Sequence, residues 1–121
     1  MRNQPKYSLF KNAKYAIDGL IEAFQTETSF KIEVYAFFIF TIVIWLLPIT
    51  ILSKIVMQTA MLIPLITELL NSAVERVVDL VTKEIHPLAK HAKDAGAAAV
   101  LLSLFMTLGI WCAVLVYEFG N

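Results

Sequence analysis

Between residues 34 and 52 the chain reads VYAFFIFTIVIWLLPITIL, nineteen positions without a charge. As a helix rising 1.5 Å per residue, that run is about 28 Å long, enough to cross a hydrocarbon core about 30 Å thick. A second uncharged run, AGAAAVLLSLFMTLGIWCAVLVY, occupies 95–117 and carries Trp111 and Tyr117 toward its far end, where interfacial aromatics gather. Between the two, 55–81 is apolar enough for a third helix of about 40 Å, whose last turns should project beyond the bilayer core. The first thirty residues follow another rule. Leu9, Ala13, Ile17, Leu20 and Phe24 recur at spacings of three and four, with Lys11, Lys14, Asp18 and Glu22 on the opposite face. This is the pattern of a helix lying on a membrane surface, a soluble partner-binding helix being the alternative. The expected fold is an all-α membrane protein in one domain, 1–121. It has an amphipathic surface helix over about 5–28 and transmembrane helices over about 32–52, 55–82 and 93–118. No secretory signal is expected, because the first long apolar run starts only at Val34 and two more follow.

Composition sharpens the question of charge. With 59% hydrophobic residues and a mean hydropathy of +0.71, any ionisable group inside a span needs a reason. The ten basic and ten acidic residues cancel, so overall charge points to no nucleic-acid partner. A single cysteine, Cys112, excludes an intrachain disulfide and a cysteine metal cluster. Arg2, Lys6, Lys11, Lys14 and Lys31 precede the first span, and Arg76, Lys83, Lys90 and Lys93 surround the second connection. Only Lys54 marks the other turn. By the positive-inside rule the N-terminus and the 81–94 connection are cytoplasmic and the C-terminus lies outside.

The charges that stand out are in TELLNSAVERVVDLV, 67–81. At about 100° per residue, Glu68, Asn71, Glu75 and Asp79 project from one strip of the middle helix. Carboxylates at such depth are costly and are read as functional by default; the structural alternative is a stripe that pairs with Arg76 or a neighbouring helix to assemble the bundle. Pro64, one turn earlier, removes a backbone hydrogen bond and predicts a kink. With Ile55 outside, Glu68 lies about 20 Å along the helix, near the inner part of the hydrocarbon core, and Asp79 about 36 Å along, at the cytoplasmic interface. The stripe thus joins lipid to cytoplasm, as a catalyst with a lipid substrate and a water-soluble cosubstrate requires.

At AKHAKDAG, 89–96, Lys93 and Asp94 are expected at the N-terminus of the third span, where free N–H groups favour phosphate oxygens. A snorkelling lysine beside an ordinary Asp94 cap is the alternative. Glu27 stands just before the first span, and His86 and His91 are read as loop residues with a weak metal-site spacing. The only glycines are Gly19, Gly96, Gly109 and Gly120, so there is no GxxxxGK[ST] phosphate loop, and a phosphotransferase here must be of a membrane-specific kind. An ion or proton translocator also uses intramembrane carboxylates, but it wants charge reachable from both sides, and the outer halves of the spans read as uncharged. A purely structural subunit is the remaining class.

These blocks resemble the prokaryotic diacylglycerol kinase family, small three-span membrane kinases, along nearly the whole chain. The carriers are ELLNSAVERVVD (68–79), similar to the family's E-x-x-N-[ST]-A-x-E-x-x-V-D signature, AKDAGAAAV (92–100), similar to its A-K-D block, and Glu27-x-x-Phe30. The resemblance implies a homotrimer in the inner membrane, with sites at the cytoplasmic surface that transfer the γ-phosphoryl group of ATP to a lipid hydroxyl with Mg²⁺. It implies that Glu68 is the proton acceptor, that Glu27 and Glu75 hold the metal, and that Asn71 and Asp79 support them. Tyr15, Glu75, Glu84, His86, Lys93 and Asp94 match nucleotide-contacting positions. Ser8 departs from the pattern, standing where well-known relatives carry a basic residue. The family includes undecaprenol kinases, and IHPLAKHAKD (85–94) is similar to their loop, whereas ETSFKIE (27–33) is similar to Gram-negative diacylglycerol kinases. Diacylglycerol is the favoured substrate and undecaprenol the alternative.

Overall fold

The computed structural model describes residues 8–120. The expected first residues of the surface helix, 5–7, and the basic residues Arg2 and Lys6 lie outside that range. Five helices follow one another: α1 (Leu9–Thr26), α2 (Thr28–Leu46), α3 (Ile51–Ala60), α4 (Leu62–Val81) and α5 (Pro87–Phe119). The described residues are all-α, and three helical stretches are long and apolar enough to cross a membrane: α2, the α3–α4 run Ile51–Val81, and α5. One end of the bundle gathers α1 and the α4–α5 connection. The far end holds the α2–α3 turn and the end of α5.

Local chemistry explains each boundary. Glu27 alone separates α1 from α2, with φ −104° and ψ 108°, so the chain turns from surface helix to span at one extended residue. The first span starts at Thr28 and stops at Leu46, not 32–52 as expected, because Pro48 drives Leu47 out of the helical region to ψ 142°. α3 then opens at Ile51, four residues before the expected 55, with Thr50 as its cap accepting from Ser53 N–H.

The disturbance expected from Pro64 is present as a break in the helix at Met61. Pro64 cannot donate to the Ala60 carbonyl and its ring crowds that oxygen, so the helix tightens just before it. Met61 N–H turns back to Gln58 O. The two carbonyls left over are taken by α5: Thr107 Oγ1 donates to Ala60 O at 2.9 Å, and Trp111 Nε1 donates to Met57 O at 3.1 Å. The break in the middle span therefore becomes its attachment to the last one.

α5 starts at Pro87, six residues earlier than the expected 93. Proline at the first helical position is preorganised, and His86 caps by accepting from Leu88 N–H. Its 33 residues make a helix about 50 Å long, so several turns stand outside a bilayer core. His91, expected in a loop, is helical.

Packing is inverted relative to a water-soluble bundle. On α4 the exposed residues include Ile66, Leu70, Val74, Val77 and Leu80, whereas Glu68 and Ser72 are buried. At the far end Ile44 and Met57 are fully buried, with Met61, Phe37, Trp111 and Leu115 around them. Polar groups there are absorbed locally. Glu118 accepts from Thr50 N–H, Thr50 Oγ1 and Ser53 Oγ, tying the end of α5 to the start of α3. Gln58 bridges Thr41 and Trp45, and Lys54 donates to the Trp45 carbonyl. The far end carries Lys54, at the turn where the sequence places it, and Glu118, just past the last uncharged run; both are held at helix termini by these bonds.

Candidate active site

The helical period places Glu68, Asn71, Glu75 and Asp79 on the covered face of α4, against α5 and α2. Glu68 is 7% exposed, and the charges that act on it are those of Glu75 and Glu27. Glu33, on α2, completes the group: it lies within the field of Glu68, and its Oε2 is buried without a partner. Four carboxylates thus converge from α4, α2 and the α1–α2 joint.

Asn71 is the hub of this arrangement. Its Nδ2 donates to Glu75 Oε1 at 3.1 Å, while its Oδ1 is buried without a partner and directed at Gly96 on α5. A Cβ at Gly96 would overlap Asn71 Oδ1 and stand 3.2 Å from its Cγ. Glycine is what lets α5 approach closely enough to cover the amide.

Arg76, which the structural alternative pairs with the stripe on its own helix, turns elsewhere. Its guanidinium points to the α1–α2 joint, donating to Glu22 Oε1 (2.5 Å), Thr26 Oγ1 (3.0 Å) and Glu27 Oε1 (2.8 Å). Beside Arg76, the Glu22 carboxyl is held below the usual carboxylate range. Next to this clamp a mostly apolar groove of about 510 Å³ runs between α1 and α4, lined by Ala16, Gly19, Leu20, Ala23, Leu69 and Ser72.

A second polar centre lies beyond Asp79. A cleft of about 310 Å³ is lined by Asp79, Glu84, His86, Lys90, Lys93 and Asp94. Lys93 Nζ pairs with Asp79 Oδ1 at 2.7 Å and Lys90 Nζ with Asp94 Oδ2 at 2.6 Å. The cleft thus brings together Glu84, His86, Lys93 and Asp94 from the expected nucleotide set. Tyr15 is half-buried on α1 and does not line it, and Glu75 belongs to the carboxylate group. One expectation is overturned: Lys93 and Asp94 are not at a helix N-terminus. Since α5 begins at Pro87, they sit within the helix and offer side chains, not free backbone N–H groups.

Among the described residues no three His, Cys, Asp or Glu side chains form a ready metal cluster, and one oxygen of Glu27 is engaged by Arg76. The donor set still suits a hard divalent cation. Glu27, Glu68 and Glu75 supply carboxylate oxygens, and Asn71 Oδ1 is an unsatisfied one. Mg²⁺ needs only one or two protein carboxylates when phosphates and water complete its shell.

Sequence signals for the missed groups were present but weak. Glu33 is a lone acid at the start of an apolar run. Arg76 and Glu22 are far apart in sequence and meet only because α1 folds back along α4.

Comparison with known proteins gives a consistent result. The profile of the family described as "Prokaryotic diacylglycerol kinase" matches residues 14–115. The chain is 33% identical over 112 residues to the diacylglycerol kinase of Escherichia coli (strain K12), covering 93% of this chain and 92% of that protein. It is 37% identical over 109 residues to the diacylglycerol kinase of Haemophilus influenzae, covering 90% and 92%. With the diacylglycerol kinase of Pseudomonas aeruginosa it shares 38% over 101 residues, covering 84% and 82%.

Proposed function

Because the chain belongs to the prokaryotic diacylglycerol kinase family, we propose that it phosphorylates 1,2-diacylglycerol to phosphatidic acid with ATP, as one membrane-embedded kinase domain. The observation that carries the reading is a continuous polar stripe on the covered face of α4. At one end is a buried carboxylate among acidic neighbours, and at the other a cleft of mixed charge in which Lys90 and Lys93 are paired with Asp94 and Asp79. Glu68 and Asp79 are eleven residues apart, about 16 Å along the helix. A lipid hydroxyl presented from the bilayer meets the first end, and a nucleotide from the aqueous side meets the second.

In this reading the hydroxyl oxygen of the lipid bonds to the γ-phosphorus of ATP, the bond from that phosphorus to the β–γ bridging oxygen breaks, and ADP leaves. Glu68 takes the hydroxyl proton, its burial against α5 and α2 excluding water. Asn71 holds Glu75 in orientation. Lys93, with Asp79 as its counter-charge, stands ready to turn toward polyphosphate oxygens, and Glu84, His86 and Asp94 shape the cleft for the nucleotide. Glu27 and Glu75 would hold Mg²⁺, which when bound would neutralise phosphate charge. The remaining work is positioning.

In this reading the chain sits in the inner membrane with its charged end in the cytoplasm, which the Lys and Arg distribution supports. It acts as a homotrimer, in which a neighbouring copy covers the Glu27 side of the acidic group, which one copy leaves partly exposed. The test is ATP consumption by the purified protein in mixed micelles, with diacylglycerol, with undecaprenol and without lipid. Dependence on diacylglycerol supports the reading. Dependence on undecaprenol alone, or hydrolysis indifferent to lipid, overturns it.

A further inference from the structure

The acidic group depends on a residue at a joint: Glu27 is the single extended position between two helices, flanked by Thr26 and Thr28. Its backbone dihedrals set how α1 is angled against α2, where Ala23 and Phe30 are buried and Phe24 meets Tyr35 edge-on at 5.7 Å, whereas a groove separates α1 from α4. Among the described residues, every side-chain hydrogen bond from α1 or the joint to α4 ends on Arg76. The contacts form a fork. One guanidinium nitrogen engages Glu22, the other spans Thr26 and Glu27, and the Thr26 hydroxyl also bonds Glu22 O at 2.8 Å, closing the last turn of α1 beneath the clamp.

We propose that Arg76 is a positioning residue for the kinase reaction: its fork onto Glu22, Thr26 and Glu27 fixes the α1–α2 joint against α4 and so sets where the Glu27 carboxylate stands relative to Glu68 and Glu75. This rests on the reading of the acidic group given above. Arg76 itself touches no reacting atom. It is adjacent in sequence to Glu75, so one turn of α4 orients two acids at once, Glu75 through its own backbone and Glu27 through the guanidinium. The planar, multi-donor shape is essential, because a lysine ammonium at the same place keeps the charge and lacks the fork.

A positioning role and a plain counter-charge role predict opposite results. If Arg76 only balanced negative charge beside Glu27, its removal would tighten Mg²⁺ binding and lower the half-saturating concentration, and lysine would substitute for it. If it positions Glu27, Arg76→Gln and Arg76→Lys should both lower turnover about tenfold and raise the half-saturating Mg²⁺ concentration about threefold or more. Glu22→Gln should shift both quantities in the same direction by less, and Arg76→Gln with Glu22→Gln should be no worse than Arg76→Gln alone. The measurement independent of activity is amide hydrogen exchange of the 22–31 segment in the full-length protein in micelles, expected to quicken about tenfold in Arg76→Gln. Unchanged exchange there, tighter Mg²⁺ in Arg76→Gln, or full rescue by lysine overturns the proposal. Wild-type protein that transfers nothing to diacylglycerol would instead overturn the functional reading, and the exchange comparison would still decide the clamp.

Discussion

Replacing Gly96 by alanine separates the stability of the bundle from the geometry of its acidic centre. In an open helix interior, alanine for glycine stabilises by about 1 kcal/mol. At Gly96 the added methyl meets Asn71, 3.2 Å from its Cγ and closer still to its Oδ1, with both helices packed face to face. Overpacking of this kind costs about 1–3 kcal/mol, so propensity and clash largely offset and the thermal midpoint should fall by no more than about 8 °C. The cheapest relief is rotation of the Asn71 amide, which breaks its 3.1 Å bond to Glu75. A hydrogen bond to a charged group contributes about 1.5–3 kcal/mol, and its loss in the transition state lowers turnover about ten- to a hundredfold. The assay is ATP-dependent phosphorylation in mixed micelles beside a melting curve of the same sample. Gly109→Ala, where nothing lies within 4 Å, is the control on the same helix and should keep wild-type turnover. Turnover within twofold of wild type in Gly96→Ala would refute the role given to the Asn71–Glu75 pair.

Three further outcomes follow from the geometry. Glu27→Gln and Glu75→Gln should each raise the Mg²⁺ concentration giving half-maximal rate, and an unchanged dependence in both would leave them as structural carboxylates. Thr107→Val leaves the Ala60 carbonyl at the Pro64 break without a side-chain donor and should cost about 1–3 kcal/mol, read as a lowered melting midpoint; an unchanged midpoint means another donor replaces it. The Glu22 carboxyl is held below its ordinary 4.5 by the Arg76 hydrogen bond first, so its contribution is complete above that value and is lost as pH falls through the depressed one. The melting difference between wild type and Glu22→Gln should therefore be constant from pH 6 to pH 8 and shrink only in acid, and a difference that vanishes near pH 6 contradicts the pairing.

Much of this architecture was readable from periodicity. The uncharged runs, the amphipathic first helix and the four polar positions of α4 obey spacings that depend only on helix geometry. What misled was punctuation. Pro48 and Pro87 set the end of α2 and the start of α5, but each sits beside apolar or charged residues that made the span look longer or shorter than the helix. Placing α5 from Pro87 also moved Lys93 and Asp94 away from the helix terminus, changing what they offer a phosphate from backbone to side chain. Glu33 and the Arg76–Glu22 pair were not legible as parts of the site. Their meaning lies in contacts between α1, α2 and α4, which no local pattern encodes.

The central claim is that the buried end of the α4 stripe carries out phosphoryl transfer to a lipid. It is tested most directly by following the label from γ-phosphate-labelled ATP into diacylglycerol, comparing wild type with Glu68→Gln at equal folded and assembled concentration. Glutamine keeps the shape and hydrogen bonding of Glu68 but cannot take the hydroxyl proton, so labelled phosphatidic acid should form with wild type and about a hundredfold more slowly, or less, with the variant. Labelled lipid appearing in Glu68→Gln at more than half the wild-type rate would contradict the account.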